Sequence, residues 1–406
     1  MNKVDIRRIP KEQFADSLAL SEFAFQYELP PDKREEKLAQ FKEEENWGAY
    51  VDGKLAARLT VLDLHTWLYG KRLALGGVAS VATWPEYRRG GLVARLLHNA
   101  LQVMREQGQT VSYLHPFQFA FYRRFGWETY TDTKKYEIPT ALLPKLPSQP
   151  GHVKRVGSDI GLLHSIYSAY ASRYNGTLDR DEDWWKWKIF ANKKGAAAVY
   201  FDAVGKPSGY VHYRVNERVC QIHELVSLDW ETTKGLWKFI ADHDSMIDKV
   251  TVSVPTDDKL PFVLDNPRIK QEIVPYFMAR IVDVKRFLEQ FPFAAANAGS
   301  GCTLKLSITD AHASWNNGLF TVEVDGRGHT AVHFEELPND APAAAANPDG
   351  QVHSLACDIS TLTAIFMGYQ RPAFMREIER LYGDEAAASC LGALIPQRQT
   401  YLPDFF

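Results

Sequence analysis

A turn between a strand-like run and a long amphipathic pattern is the segment best suited to chemistry. The strand-like run ends at Thr83, and Pro85, which lacks a backbone N–H, ends the pairing there. Residues 88–91 then read Arg-Arg-Gly-Gly and open a helical pattern. Glycine lets backbone N–H groups approach a ligand closely, and a helix N-terminus carries partial positive charge, so this turn predicts a pyrophosphate cradle. The alternative is an ordinary strand–turn–helix with solvated arginines.

An aromatic segment at residues 114–128 contains a tyrosine that could donate a proton. Tyr122 lies between Phe121 and Phe125 in this segment. A phenol with an ordinary pKa of about 10 is protonated at neutral pH and can act as a general acid. The alternative is that Tyr122 only packs against its phenylalanine neighbours, and the spacing taken alone favours that alternative.

The last residues of the sequence, 401–406, are unusually aromatic. They read Tyr-Leu-Pro-Asp-Phe-Phe, whereas chain termini are commonly frayed and polar. Because aromatic side chains favour burial, we expect this segment to pack against the protein. Asp404 is the one carboxylate there that could recognise a cationic amine.

The turn resembles the acetyl-CoA motif of GNAT acetyltransferases, R/Q-x-x-G-x-G/A. If Arg88 begins the motif, Arg88 and Gly91 take its R/Q and middle glycine places, and Val93 takes the last place, where the motif has glycine or alanine; Ala94 follows directly. The resemblance implies acetyl-CoA as co-substrate, no metal, and a backbone N–H near Val81 that polarises the thioester. The cofactor-binding residues that it implies are Val81, Ala82, Thr83, Arg88, Arg89, Gly90, Gly91, Leu92, Val93, Ala94, Phe117 and Gln118.

The aromatic segment is similar to the GNAT pattern Y-x-x-x-G-F/W-E. In that family the tyrosine protonates the departing CoA thiolate, which implies the same role for Tyr122. The whole chain resembles the Eis family of GNAT proteins, in which the terminal carboxylate acts as the base. That resemblance implies that the α-carboxylate of Phe406 is the base and that the protein forms a hexamer or a similar homo-oligomer.

The Eis resemblance also implies three domains of mixed α/β and α+β class. We expect a GNAT domain at 1–146, a degenerate GNAT-like domain at 147–290 and a sterol-carrier-protein-like domain at 291–406. The strand and helix patterns agree with this division, since the order of the first part restarts after a proline-rich linker at 139–150. No glycine-rich turn follows Ser227, so the second copy is expected to lack a phosphate site.

Composition limits the class of partner. The formal net charge is −3, which gives no electrostatic case for nucleic acid or for an anionic membrane. No run reaches the ~20 apolar residues of a membrane span, and no signal-peptide pattern is present, so we expect a cytoplasmic protein. The four cysteines lie far apart without a CxxC pair, which predicts reduced thiols and neither a zinc site nor a disulfide framework.

The resulting prediction is an N-acetyltransferase that acts on a primary amine by direct attack, without a covalent acetyl-enzyme. The acceptor could be an aminoglycoside, a polyamine or a lysine-type amine. The alternatives are a non-catalytic acyl-CoA or lipid-binding module, and transfer to a hydroxyl or from a larger acyl donor. His65 and His115 are candidate bases that we expect to be structural, and Trp184 and Trp187 are expected to pack between domains.

Overall fold

The computed structural model describes residues 3–295, 301–336 and 352–406. In these ranges one mixed sheet of twelve strands runs through the first two parts of the chain, and a sheet of five strands belongs to the third. The low-complexity tract at 341–350, whose composition predicts a loop, lies outside the described residues. So does most of the alanine- and glycine-rich segment at 294–301, whose composition predicts a domain boundary or a loop.

The first part follows the predicted order of strands and helices. A two-residue turn at Tyr69 and Gly70, with φ values of 49° and 80°, makes a hairpin of the third and fourth strands. The elements are β1 (Val4–Arg8), α1 (Phe14–Phe25), α2 (Pro31–Ala39), β2 (Asn46–Val51), β3 (Lys54–Leu68), β4 (Lys71–Thr83), α3 (Leu92–Glu106), β5 (Val111–Leu114), α4 (Phe119–Arg123) and β6 (Glu128–Pro139).

The second part repeats this order and contains two elements that the sequence patterns did not indicate. Residues 181–192, whose apolar spacing predicts a helix, contain a shorter π-helix, Trp184–Phe190, whose Trp184 and Trp185 are buried. The elements are β7 (His152–Val156), α5 (Ile160–Ala171), β8 (Ala196–Phe201), β9 (Pro207–Asn216), β10 (Val219–Ser227), α6 (Trp230–Ala241), β11 (Lys249–Val254), β12 (Lys270–Ile281) and α7 (Val284–Gln290). The last two, β12 and α7, were missed.

Strand β12 was missed because Pro275 interrupts it. Proline within a run argues against a central strand, since it cannot donate to the ladder. The structure accommodates Pro275 at an irregularity in the pairing of β12 with β6, where the register shifts between Pro275 and Phe277. A bulge therefore permits a proline in the middle of the large sheet.

The first two parts share one sheet because their last strands are exchanged. The strand order is β1-β2-β3-β4-β5-β12-β6-β11-β10-β9-β8-β7. Strand β12 of the second part pairs with β5 of the first, and β6 of the first pairs with β11 of the second. The two parts are thus joined through main-chain hydrogen bonds, and the boundary at 146 remains a prediction.

The third part packs against the large sheet through its helix α8. Its strands β13 and β16 are parallel neighbours, and its helix α8 contacts β12 and β6. The elements are β13 (Cys302–Thr309), β14 (Gly318–Val324), β15 (Thr330–Glu335), β16 (Val352–Asp358), α8 (Ile359–Phe366), α9 (Pro372–Glu377), β17 (Tyr382–Gly383) and α10 (Glu385–Leu394). Cys302 and Cys390 lie in contact, so the expectation of four separate thiols is wrong for this pair.

A buried ion pair holds the third part against β12. The Arg280 guanidinium donates to the carboxylate of Asp310 at 2.6 Å and also to the carbonyl of Phe125, and both side chains of the ion pair are fully buried. Removing one partner of such a pair leaves an uncompensated charge in a medium of low dielectric constant. The pair therefore contributes to the docking of the parts only while it is intact.

We expect Asp310→Ala to lower the free energy of unfolding by about 3–5 kcal/mol, because Arg280 would stay buried without its carboxylate. Unfolding in guanidinium chloride, followed by tryptophan fluorescence, measures this change. The matched control is Asp248→Ala, which breaks the exposed Arg218–Asp248 pair and should cost at most about 1 kcal/mol. Equal losses in the two variants would contradict the assignment.

Candidate active site

A cavity of about 860 Å³ lies where β4 and β5 diverge. The two strands pair in parallel only from Leu75 to Val78 on β4, so residues 79–83 have no partner on that side. The cavity is lined by this free stretch of β4, by the end of α1, by the segment after β5, by α4 and by the last two residues of the sequence. Its walls thus come from both ends of the chain.

A β-bulge shapes the wall formed by β4. Thr60 and Arg58 of β3 pair with Ala79 and Ala82, so β4 has one residue more than β3 in this interval. Ser80, inside the bulge, has a left-handed φ of 52°. Bulges bend a strand and redirect its backbone groups, and they are common beside active sites. The two residues of the bulge, Ser80 and Val81, line the cavity, at the place where the resemblance to GNAT enzymes implies a backbone N–H for the thioester.

The predicted cofactor residues divide into two groups. Those that line the cavity are Val81, Ala82, Thr83, Arg88, Val93 and Phe117. The others do not line it, and they are Arg89, Gly90, Gly91, Leu92, Ala94 and Gln118. The side chain of Leu92 is buried in the core between α3 and the sheet, so this residue can offer a ligand only its backbone.

Two residues of the turn before α3 have left-handed backbone conformations. Gly91 caps the helix with a φ of 73°, and Arg89 has a φ of 64°. Gly91 has no side chain that could cap the helix, so the first N–H groups of α3 can face an anion. The Arg88 guanidinium donates to the carbonyl of Thr83 at 3.4 Å, which ties the turn to the end of β4.

Gly91→Val should weaken acetyl-CoA binding by about tenfold. A side chain with a branched Cβ is strained in the left-handed region by about 1–2 kcal/mol, so the turn would rearrange. Isothermal titration calorimetry with acetyl-CoA measures the change. Gly90→Ala is the matched control, because Gly90 lacks a left-handed φ and an added Cβ would meet only the Tyr87 carbonyl at 3.4 Å. A wild-type dissociation constant for Gly91→Val would contradict the prediction.

Tyr122 both packs in an aromatic cluster and lines the cavity. Its ring lies 5.1 Å from that of Phe121 and 5.4 Å from that of Phe117. The side chain is buried, and burial raises the pKa of Tyr122 above its ordinary value. The phenol is therefore protonated throughout the neutral range, as a general acid must be. The two interpretations of this tyrosine are thus compatible.

Most of the end of the sequence is packed, as its aromatic composition predicts, but Phe405 is 59% exposed. The ring of Phe406 lies 5.0 Å from that of Phe277 on β12 and 5.9 Å from that of Trp184. A Cβ added at Gly77 on β4 would come within 2.9 Å of the Phe406 ring, so glycine is needed there for the close approach. The Phe405 ring contacts that of His115 at 4.9 Å.

Asp404 anchors this terminal segment and does not face the cavity. Its carboxylate accepts hydrogen bonds from Arg180 at 3.0 Å and from the Trp184 indole at 2.8 Å, and its carbonyl accepts one from Tyr276 at 3.0 Å. The side chain is fully buried. The suggestion that Asp404 recognises a cationic amine is therefore wrong, because its oxygens are already occupied by donors from the protein.

Arg180 is a positioning residue that the sequence patterns did not indicate. Its guanidinium also donates to both oxygens of Glu224, at 2.7 and 3.0 Å, in a fully buried network. Burial alone would raise the pKa of Glu224, but Arg180 and Lys193 outweigh it and hold that pKa well below its usual range. Glu224 is thus ionised at neutral pH, and the hydrogen bonds of Arg180 to Glu224 and Asp404 fix the terminal segment to the second part.

The second part has no equivalent of the anion cradle at α6. The side chain of Asp229 caps α6 by accepting a hydrogen bond from the N–H of Thr232 at 2.8 Å. A carboxylate therefore occupies the helix N-terminus that would otherwise be free for a phosphate. This cap supports the prediction of a degenerate second copy.

Three family models match the chain in succession. A GNAT acetyltransferase domain matches residues 5–130, a second GNAT acetyltransferase domain matches 176–281, and a sterol carrier protein domain matches 284–403. The chain belongs to the GNAT acetyltransferases. This acetyltransferase therefore has the two GNAT domains and the sterol-carrier-type domain that its resemblance to the Eis family implied, and the predicted fold class is confirmed.

Relatives of this GNAT chain are similar to it over most or all of its length. An N-acetyltransferase of Streptomyces avermitilis is 23% identical over 434 residues, which cover 99% of each chain. The N-acetyltransferase Eis of Mycobacterium tuberculosis is 22% identical over 351 residues, which cover 82% of this chain and 81% of Eis. A probable N-acyltransferase of Enterococcus faecalis V583 superposes with a TM-score of 0.90 at 27% identity, with 100% of both chains covered.

Among the described residues of this GNAT protein, no helix combines the length and the apolar composition that crossing a bilayer requires.

Proposed function

We propose that this acetyltransferase transfers an acetyl group from acetyl-CoA to a primary amine by direct attack. The observation that carries the proposal is that one cavity is lined by the free stretch of β4, by Tyr122 and by Phe406. Direct attack needs an acyl donor, a proton acceptor and a proton donor within one space, and no covalent intermediate. No described cysteine lines this cavity.

The residues around the cavity fit acetyl-CoA. The turn at 88–91 offers backbone N–H groups and the charge of Arg88 to the diphosphate. The stretch 79–83 of β4 has no neighbouring strand on the side of β5, so it can offer main-chain hydrogen bonds to the extended pantetheine arm. The arm would then take the place of the missing strand. In this proposal a backbone N–H near Val81 stabilises the negative charge that develops on the thioester oxygen.

The acid and the base would act at opposite ends of the reacting group. The α-carboxylate of Phe406 accepts a proton from the acceptor ammonium, which frees the nitrogen lone pair for attack on the thioester carbon. The carbon–sulfur bond then breaks, and the Tyr122 hydroxyl protonates the CoA thiolate. The attacking nitrogen loses its second proton to water as the amide forms, and a proton from water restores the Tyr122 phenol. A free α-carboxyl has an ordinary pKa of about 3.3–3.7, which is low for this task, so a water relay or desolvation by the acceptor would assist it.

His115 is a second candidate base, because it lines the same cavity and contacts Phe405. Burial lowers the pKa of His115 below its ordinary value, so its imidazole is neutral at pH 7 and able to accept a proton. We propose Phe406 as the base and His115 as part of the acceptor wall. His115→Asn, which keeps a polar planar group, should then leave the acid limb of the pH–rate profile unchanged.

The proposed function is tested by release of CoA thiol from acetyl-CoA in the presence of polyamines, aminoglycosides and lysine peptides. The proposal predicts thiol release that depends on the amine, together with an acceptor that gains 42 Da in mass spectrometry. Amine-independent hydrolysis only, or turnover with hydroxyl acceptors alone, would contradict it. Longer acyl-CoAs in the same assay test the donor. A lipid that co-purifies without any turnover would instead favour the non-catalytic binding module.

We also propose a homo-oligomer, a hexamer by its resemblance to Eis, in the cytoplasm. Light scattering after size-exclusion chromatography tests the assembly, and a purely monomeric protein would contradict it.

A further inference from the structure

Two cysteines and one histidine of the third part converge outside the catalytic cavity. Cys302 begins β13, His353 lies on β16 and Cys390 lies on α10. The two sulfurs and one imidazole nitrogen all lie within 4.8 Å of one another, and the three side chains are half-buried. Two thiolates and an imidazole are ligands that zinc and similar thiophilic ions prefer. We propose that Cys302, His353 and Cys390 bind one divalent cation of the zinc type.

The fold accounts for this convergence. Strands β13 and β16 are parallel neighbours, and Leu304 is paired with His353. Cys302 lies two residues before Leu304, so Cys302 and His353 project from the same face of the sheet. Helix α10 packs on β13 and β16, and it brings Cys390 to that face. The three residues are far apart in the sequence, which is why their spacing gave no indication of a site.

A disulfide between Cys302 and Cys390 is the competing cross-link, since the two sulfurs are in contact. The Cα atoms of the pair are 7.8 Å apart, whereas the Cα atoms of disulfides usually lie about 4.4–6.8 Å apart. A shared ion lengthens the bridge between the two side chains and tolerates the larger separation. A disulfide would also leave His353 without a function, whereas an ion uses it as the third ligand.

A four-coordinate ion needs the two sulfurs of the triad to move apart. Zinc lies about 2.3 Å from sulfur and about 2.0 Å from nitrogen, which places ligand atoms roughly 3.5–4 Å apart. The three ligand atoms lie within 4.8 Å of one another with the two sulfurs in contact, so binding of the ion requires a small rotation of the cysteine side chains. Two thiolates with a neutral imidazole balance the charge of a divalent cation. Because the side chains are half-buried, water can reach the fourth coordination position.

The cation would have a structural effect. None of the three residues lines the catalytic cavity in the described structure, whereas together they connect the first strand of the third part to its last helix. The cross-link between Cys302 and Cys390 spans 88 residues. Binding that requires the folded arrangement stabilises that arrangement, so the ion should raise the thermal stability of the protein.

The test uses the full chain, kept reduced, with zinc chloride as the probe. Metal content after desalting and a competition assay with a chromophoric chelator measure stoichiometry and affinity. We expect one zinc per chain, a higher unfolding temperature with zinc, loss of binding in Cys390→Ser, and affinity at least tenfold lower in His353→Ala. Cys357→Ala is the matched control: it removes a free, buried thiol on β16 and should bind zinc as the wild type does.

Three results would overturn the proposal. In the first, the reduced wild type binds no zinc. In the second, His353→Ala binds zinc with unchanged affinity. In the third, peptide mapping finds a Cys302–Cys390 disulfide, and the chain binds no zinc after this disulfide is reduced. If a variant does not fold, cobalt replaces zinc in the wild type. A thiolate-to-cobalt absorption band then supports the site, and its absence contradicts it. Zinc binding and cobalt absorption are measured without acetyl transfer, so failure of this proposal and failure of the proposed function can be distinguished.

Discussion

Tyr122→Phe should lower kcat by about 100-fold or more, with little change in the KM for acetyl-CoA. The substitution keeps the ring and its contacts with Phe117 and Phe121, and it removes only the hydroxyl. General acid catalysis typically contributes about 10²–10⁴-fold, and the CoA thiolate would leave without a proton from the enzyme. Because the lost interaction exists only in the transition state, kcat and kcat/KM should fall together. Steady-state thiol release measures both.

The control for this substitution is Tyr113→Phe. Tyr113 is buried on β5, shares a hydrogen bond of 3.1 Å with Thr66, and does not line the cavity. Its loss should cost about 1 kcal/mol of stability and leave kcat near the wild-type value. A wild-type kcat in Tyr122→Phe would show that this phenol is only part of the aromatic cluster.

Replacing the α-carboxylate of Phe406 by a carboxamide should also lower kcat by about 100-fold. The amide has almost the same shape but cannot accept a proton from an ammonium at neutral pH, so only the proposed base is removed. A semisynthetic chain joined by protein ligation near its end provides the amide. The same ligated chain with a free carboxylate is the matched control. Equal rates for the two chains would shift the role of base to His115.

Breaking the network of Arg180, Glu224 and Asp404 should also lower kcat. Asp404→Ala removes the acceptor of the Arg180 and Trp184 hydrogen bonds, and it leaves Arg180 paired with Glu224 alone. The terminal segment should then move relative to β4, so kcat should fall although the carboxylate is still present. Added acceptor amine should not restore the rate, because the displacement affects the chemical step and not only binding.

The local part of the site could be predicted from the sequence because neighbouring residues determine it. The turn at 88–91 needs only a strand end, two glycines and an amphipathic helix, and all three are visible in one stretch of sequence. The burial of Tyr122 follows in the same way from the phenylalanines around it in the sequence. The packed end of the sequence was likewise indicated by its aromatic composition.

The long-range part of the site could not be predicted in this way. Arg180 is one arginine among many, and only the folded chain places it between Glu224 and Asp404. Strand β12 could not be predicted either, because Pro275 argued against a strand there. This strand carries Phe277, whose ring packs against that of Phe406. The exchange of β6 and β12 between the two GNAT domains leaves no periodic trace in the sequence.

A crystal structure with CoA bound is the most direct test that one cavity holds the donor, the acid and the base. We expect the diphosphate against the backbone of residues 88–91 and the pantetheine arm along the free stretch of β4. We also expect the CoA sulfur within hydrogen-bond reach of the Tyr122 hydroxyl, and the Phe406 carboxylate facing the position of the acetyl group. A CoA molecule bound elsewhere, or a Phe406 carboxylate turned away from the sulfur, would contradict the account.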